Sequence, residues 1–180
     1  MQTEIIVSGF GGQGVLFAGQ ILSYTAMDAG LNVTWIPSYG PEMRGGTANC
    51  TVVISDEEIG SPFVQRPQAV IVMNLPSLDK YEKLVKPGGV MVLNSSMVTR
   101  LPERKDIQTV LVPGNELAEQ IGERRLTNMI MVGALLANLP VLSIEAVEKA
   151  LEAHLPARHH RLLPSNYKAL RAGAAILAAA

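Results

Sequence analysis

The sequence predicts an α/β fold: a three-layer, mostly parallel sheet with an antiparallel strand at its edge, opened by a Rossmann-like unit. Three observations carry this. The apolar run Glu4 to Ser8 ends in the turn Gly9-Phe10-Gly11-Gly12-Gln13-Gly14 and passes into a long helical stretch. A second strand–helix–strand pattern follows between residues 69 and 93, with short connections. The 180 residues show no repeat and no linker, so one domain is expected over 1–180.

The elements follow in order. Val15, Ala18, Leu22 and Ala26 recur at helical spacing, and Gly30 is a natural stop. Asn32 to Ile36 reads as the second strand, and Pro37 to Gly46 as a loop by composition. Thr47 to Ser55 alternates, with Ala48, Cys50, Val52 and Ile54 on one face. Ala69 to Met73 is a buried strand, Pro76 to Lys86 a short helix, and Val90 to Leu93 a further strand. Ile107 to Val112 predicts the last strand, and Glu116 to Gly122 a helix. Asn128 to Leu139 is apolar nearly all round, which predicts a helix buried on most sides. Ser143 and Ser165 are expected to cap the last two helices, the final one carrying Tyr167, Leu170, Ala174 and Leu177 on one face.

Composition bounds the function. Charged residues are 17% of the chain, against roughly 25% in an ordinary soluble domain. A small domain with so little charge is expected to turn part of its surface towards another protein. The net charge is −1, and the one prominent basic block is Arg158-His159-His160-Arg161, so a nucleic-acid footprint is not expected. The start of the chain does not read as a signal peptide, and no apolar run reaches the ~18 residues of a membrane span. A single cysteine, Cys50, rules out an internal disulfide and a self-contained iron–sulfur cluster. A reducing, cytoplasmic compartment fits. Cys50 falls on the apolar face of its strand, so an inert buried thiol is expected there. His154, His159 and His160 lack metal-ligand spacing and read as surface.

Two loops carry the candidate chemistry. Gly9, Gly11 and Gly14 match G-x-G-x-x-G after a strand and before a helix, where exposed backbone amides favour an anion. A nicotinamide or flavin dinucleotide calls for an acidic residue about twenty positions on, and Val33 to Pro37 holds none. The turn also lacks the Gly-Lys-Ser/Thr of a P-loop. Three uses stay open: a dinucleotide, another anionic group, or close packing at an interface. The second loop, Ser38-Tyr39-Gly40-Pro41-Glu42-Met43-Arg44-Gly45-Gly46, is expected on the same edge of the sheet. Arg44 could clasp a phosphate or carboxylate, or pair with Glu42; Tyr39 could stack or fill an interface. Asn128 is expected to cap its helix, with a reach back to the glycine loops as the alternative.

Gly9 to Val15 with Ala18-Gly19, the Ser38 to Gly46 segment, and Asn128-Met129 with Gly133-Ala134 together resemble the gamma subunit of 2-oxoacid:ferredoxin oxidoreductases. The resemblance covers essentially the whole chain. It implies oxidative decarboxylation of pyruvate, 2-oxoglutarate, a branched-chain 2-oxoacid or indolepyruvate with coenzyme A, giving an acyl-CoA, CO2 and reduced ferredoxin. Thiamine diphosphate and iron–sulfur clusters would sit mostly on sister subunits, of alpha, beta and delta type. This chain has no Gly-Asp-Gly thiamine motif and no cysteine set, so its part would be structural or substrate-facing at a shared site. Gly9, Gly11, Gly12, Gln13, Gly14, Tyr39, Glu42, Arg44, Gly45, Gly46 and Asn128 are the candidate residues. The competing expectations are a stand-alone dinucleotide-binding oxidoreductase and a non-catalytic scaffold; the isolated chain could also form a homodimer.

Overall fold

The computed structural model describes residues 1–39 and 46–177. Nine residues from Gln2 to Phe10 form β1, and Val15–Asp28 forms α1. The chain continues through β2 (Asn32–Tyr39), β3 (Thr47–Ser55), β4 (Ala69–Val72), α2 (Leu75–Tyr81), β5 (Val90–Asn94) and β6 (Gln108–Val112). It ends in four helices: α3 (Gly114–Ile121), α4 (Thr127–Asn138), α5 (Ile144–His154) and α6 (Leu163–Ala174).

The strands form one mixed sheet in the order β2-β3-β1-β4-β5-β6. β1, β4, β5 and β6 run parallel, while β3 runs against both β1 and β2. The antiparallel direction thus belongs to β3, one place in from the edge, and β2–β3 is the antiparallel edge pair. The opening unit returns in β2 with the direction of β1 but not beside it, because β3 inserts between them. β2 is also longer than its apolar run predicts, extending three residues beyond Ile36 to Tyr39.

Alternation along the strands builds the layers. Ile5 and Val7 of β1, Cys50 and Val52 of β3, and Ile71 of β4 point to one face. There they pack against α1, α4, α5 and α6. Ile6, Val70, Val72, Met91 and Leu93 point to the other face, against Leu78 and Tyr81 of α2 and against Val85. Ten consecutive residues of α4, Thr127 to Leu136, are buried, as its unbroken apolar pattern requires.

Local signals explain most helix starts. Asn74 accepts from the Ser77 N–H (2.9 Å) at α2, and Ser143 from the Ala146 N–H (3.1 Å) at α5. Ser165 does not cap α6. That helix starts two residues earlier, at Leu163, with Pro164 in its first turn, where a missing N–H costs nothing. Leu177 lies beyond the helix and is exposed. Among the described residues no helix is long and apolar enough to cross a membrane.

Candidate functional site

The carboxyl ends of β1, β4, β5 and β6 open onto one edge, the usual ligand edge of such sheets. A cleft of about 390 Å³ lies there. Gly12 and Gln13 line it after β1, Met73 after β4, Met97 after β5 and Asn115 after β6. Thr127, Arg124 and Arg125 form its far wall, with Glu119 of α3 beside them.

The glycine turn is held rigidly. Gly12 and Gly14 adopt φ of 96° and 72°, which only glycine reaches without strain. Gln13 closes the turn on itself and on the next strand. Its Oε1 accepts from the Phe10 N–H (2.6 Å), and its Nε2 donates to the Met73 carbonyl (3.4 Å). Asn128 holds the other side, donating from Nδ2 to the Gly14 carbonyl at 3.1 Å. That side chain reaches across the fold to the glycine turn, the alternative expected from the sequence, and Asn128 is not the N-cap of α4. The physical reason is that α4 grows directly out of a 3₁₀ turn at Arg124–Leu126, so Asn128 sits inside the helix and not before it.

The second loop reaches the same place. The Gly11 N–H donates to the Gly46 carbonyl at 3.0 Å, joining the two glycine-rich segments. Tyr39, at the end of β2, lines a neighbouring hollow with Phe10, Gly11, Gly12, Gly14 and Ala48. Gly9 is the last glycine of β1 before the turn. Glu42, Arg44 and Gly45 lie outside the described residues.

The electrostatics of the far wall are uneven. Arg124 pairs with Glu119 at 2.9 Å in an exposed ion pair. Among the described residues Arg125 has no ion pair or hydrogen bond, so its charge is available to the cleft. The floor is a polar network. Asn94 accepts the Gly114 N–H (3.3 Å) and donates to Asn115 Oδ1 (3.2 Å), and the Thr127 hydroxyl reaches Asn115 at 3.4 Å. Arg124, Arg125, Asn115 and Thr127 escaped the sequence reading. The doublet Arg124-Arg125 in a short link between helices was the available signal, since two adjacent cations resist burial and mark a surface position.

The geometry also speaks to the dinucleotide alternative. In dinucleotide folds the second strand lies beside the first and carries the ribose carboxylate. Here β3 separates them, so the end of β2 is one strand spacing, about 4.8 Å, further from the turn. Cys50 is buried in the core, and burial pushes its thiol up to about 11. With that single protonated thiol, the chain does not fit the ligand set of an iron–sulfur cluster.

A family model described as pyruvate ferredoxin/flavodoxin oxidoreductase matches residues 4–176. The chain belongs to this family. Ketoisovalerate oxidoreductase subunit VorA of Methanothermobacter marburgensis is 36% identical over 174 residues, covering 96% of this chain and 36% of that subunit. The chain therefore spans about a third of that relative. The 2-oxoglutarate synthase subunit KorC of the same organism is 38% identical, covering 87% of this chain and 88% of KorC. Among solved structures, the keto/oxoacid ferredoxin oxidoreductase gamma subunit of Geobacter sulfurreducens PCA superposes with a TM-score of 0.81. It is 34% identical, with 95% of each chain covered. This pyruvate oxidoreductase family fold thus agrees with the α/β expectation in class and layering.

Proposed function

We propose that this chain is the gamma-type subunit of a multi-subunit 2-oxoacid:ferredoxin oxidoreductase, working in the cytoplasm as one domain over residues 1–180. In this reading the complex oxidatively decarboxylates a 2-oxoacid with coenzyme A, giving an acyl-CoA, CO2 and reduced ferredoxin. Alpha, beta and delta-type subunits hold thiamine diphosphate and the iron–sulfur clusters. This chain, with one cysteine and no Gly-Asp-Gly motif, contributes backbone and side chains at the shared boundary and not the redox groups.

The observation that carries the reading is the cleft between the glycine turn and Arg125. A guanidinium with no carboxylate partner among the described residues, lining the same cleft as the glycine turn, suits a phosphate or another anion. Met73 and Met97 supply adaptable apolar lining beside it. At about 390 Å³ the cleft is near the lower end of the roughly 300–1,000 Å³ of small-molecule pockets, so it takes only part of a molecule as large as coenzyme A. The rest would lie against the thiamine-binding subunits. Tyr39, Glu42, Arg44, Gly45 and Gly46 would help form that shared boundary, with Arg44 contacting an anionic group.

The test is isolation of the native complex, followed by a screen of 2-oxoacids with coenzyme A and a dye acceptor. The reading expects co-purification of this chain with thiamine-binding and iron–sulfur subunits and coenzyme A-dependent dye reduction. In that complex Arg44→Ala should lower turnover or raise the coenzyme A requirement. Recovery of the chain without such partners, with saturable NAD(H) binding instead, contradicts it.

A further inference from the structure

We infer that Asn128 is a positioning residue that sets the width of this cleft by tying the glycine turn to the arginine wall. The inference rests on the cleft reading above and adds to it the element that holds the two walls in register. The first wall, Gly12 and Gln13, belongs to the turn after β1; the second, Arg124, Arg125 and Thr127, leads directly into Asn128. These walls are more than a hundred residues apart in the chain, so local structure cannot fix their separation.

The contact is built for one side chain. Asn128 is 4% exposed and donates to the Gly14 carbonyl, which also accepts the first intrahelical N–H of α1, from Ala18, at 3.0 Å. Its Oδ1 accepts the Met129 N–H at 2.9 Å, so both ends of the amide are used. A Cβ on Gly14 would lie 2.4 Å from Asn128 Nδ2, so the tether leaves no room for a side chain there. Aspartate would fill the same space but set a carboxylate against a carbonyl oxygen; alanine would leave that oxygen with one donor fewer. Gln13 fixes the turn towards β4, and Asn128 alone among these contacts fixes it towards the arginines.

The test compares Asn128→Ala and Asn128→Asp with wild type in the assembled complex, with Arg125→Ala as the reference for the cleft itself. The loss of one buried hydrogen bond is expected to raise the apparent KM for coenzyme A about fivefold, with turnover at saturation kept within about twofold. Hydrogen exchange should quicken at the amides of residues 11–16 and stay unchanged in α5 and α6. A merely structural asparagine would lower overall stability without splitting KM from kcat. If Arg125→Ala raises KM and both Asn128 variants leave it alone, the positioning role is overturned and the cleft reading stands. If none of the three changes KM, the cleft reading fails and the positioning role falls with it. Unchanged exchange at residues 11–16 in either Asn128 variant overturns the tether directly.

Discussion

Gly133 of α4 and Gly173 of α6 each sit directly against the backbone of the other helix where the two cross. A Cβ added at Gly133 would lie 2.0 Å from the Leu170 carbonyl oxygen, and one at Gly173 would lie 1.8 Å from that of Ile130. Neither neighbour is a side chain that can swing away; both are backbone. Two helices can approach this closely only if their contact residues have no side chain. The crossing holds α4 against the sheet, and α4 begins with Thr127 and Asn128 of the cleft.

Gly133→Ala should therefore destabilise the chain by about 2 kcal/mol or more through overpacking. For a chain of this length that lowers Tm by about 4–8 °C, measurable by circular dichroism. An alanine variant that melts with wild type would show that the crossing yields easily.

Cys50 should be inert in the folded chain. Burial pushes its thiol from 9.0 up to about 11, so at neutral pH almost none is thiolate. A thiol reagent should label it only after unfolding in urea. Because the folded chain binds this proton more tightly, the associated stability is complete below about pH 9 and is lost as pH rises through about 11. Cys50→Ala should remove that part of the alkaline slope. Rapid labelling of native protein at pH 7 would contradict the packing around Gly19 and Val15, which enclose the sulfur.

Glu82 should make the segment after β5 sensitive to acid. Burial opposes its ionisation, but the Glu103 N–H and the Arg100 guanidinium (2.9 Å) outweigh it and hold its carboxyl below the ordinary 4.5. A lowered folded value contributes stability above the unfolded value, lost as pH falls through the folded one. Glu82→Gln should flatten the loss of stability below about pH 4.5 in urea titrations. An unchanged acid limb would mean the ion pairs around Arg100 carry nothing.

Arg124 and Arg125 should differ although they are neighbours. Arg124 already pairs with Glu119, while Arg125 has no such partner among the described residues. Arg125→Ala should raise the apparent KM for coenzyme A about tenfold in the complex, the scale of a lost charge-assisted contact. Arg124→Ala should change it by less than about twofold, as for an exposed pair. Equal effects would mean that the cleft does not distinguish them.

Local patterns made much of this molecule readable. The apolar set Ala48, Cys50, Val52 and Ile54 gave β3 its bounds and one buried face, and the unbroken apolar run after Asn128 gave α4 its burial. Pairing between distant strands left no such mark. Nothing in the composition of β3 says that it enters between β1 and β2, since an apolar face serves either neighbour equally. The site divides the same way. The glycine turn was visible because positive φ demands glycine at Gly12 and Gly14. The role of Asn128 was legible only as one of two alternatives, because an amide before an apolar run fits a cap and a reach back to the glycine loops alike.

As proposed, this chain completes an active centre whose redox groups lie on other subunits. The most direct measurement is 2-oxoacid- and coenzyme A-dependent dye reduction by the purified complex, by the complex lacking this chain, and by this chain alone. The account predicts turnover in the first, loss of coenzyme A-dependent turnover in the second and none in the third. Full activity without this chain, or turnover by this chain unaided, would contradict it.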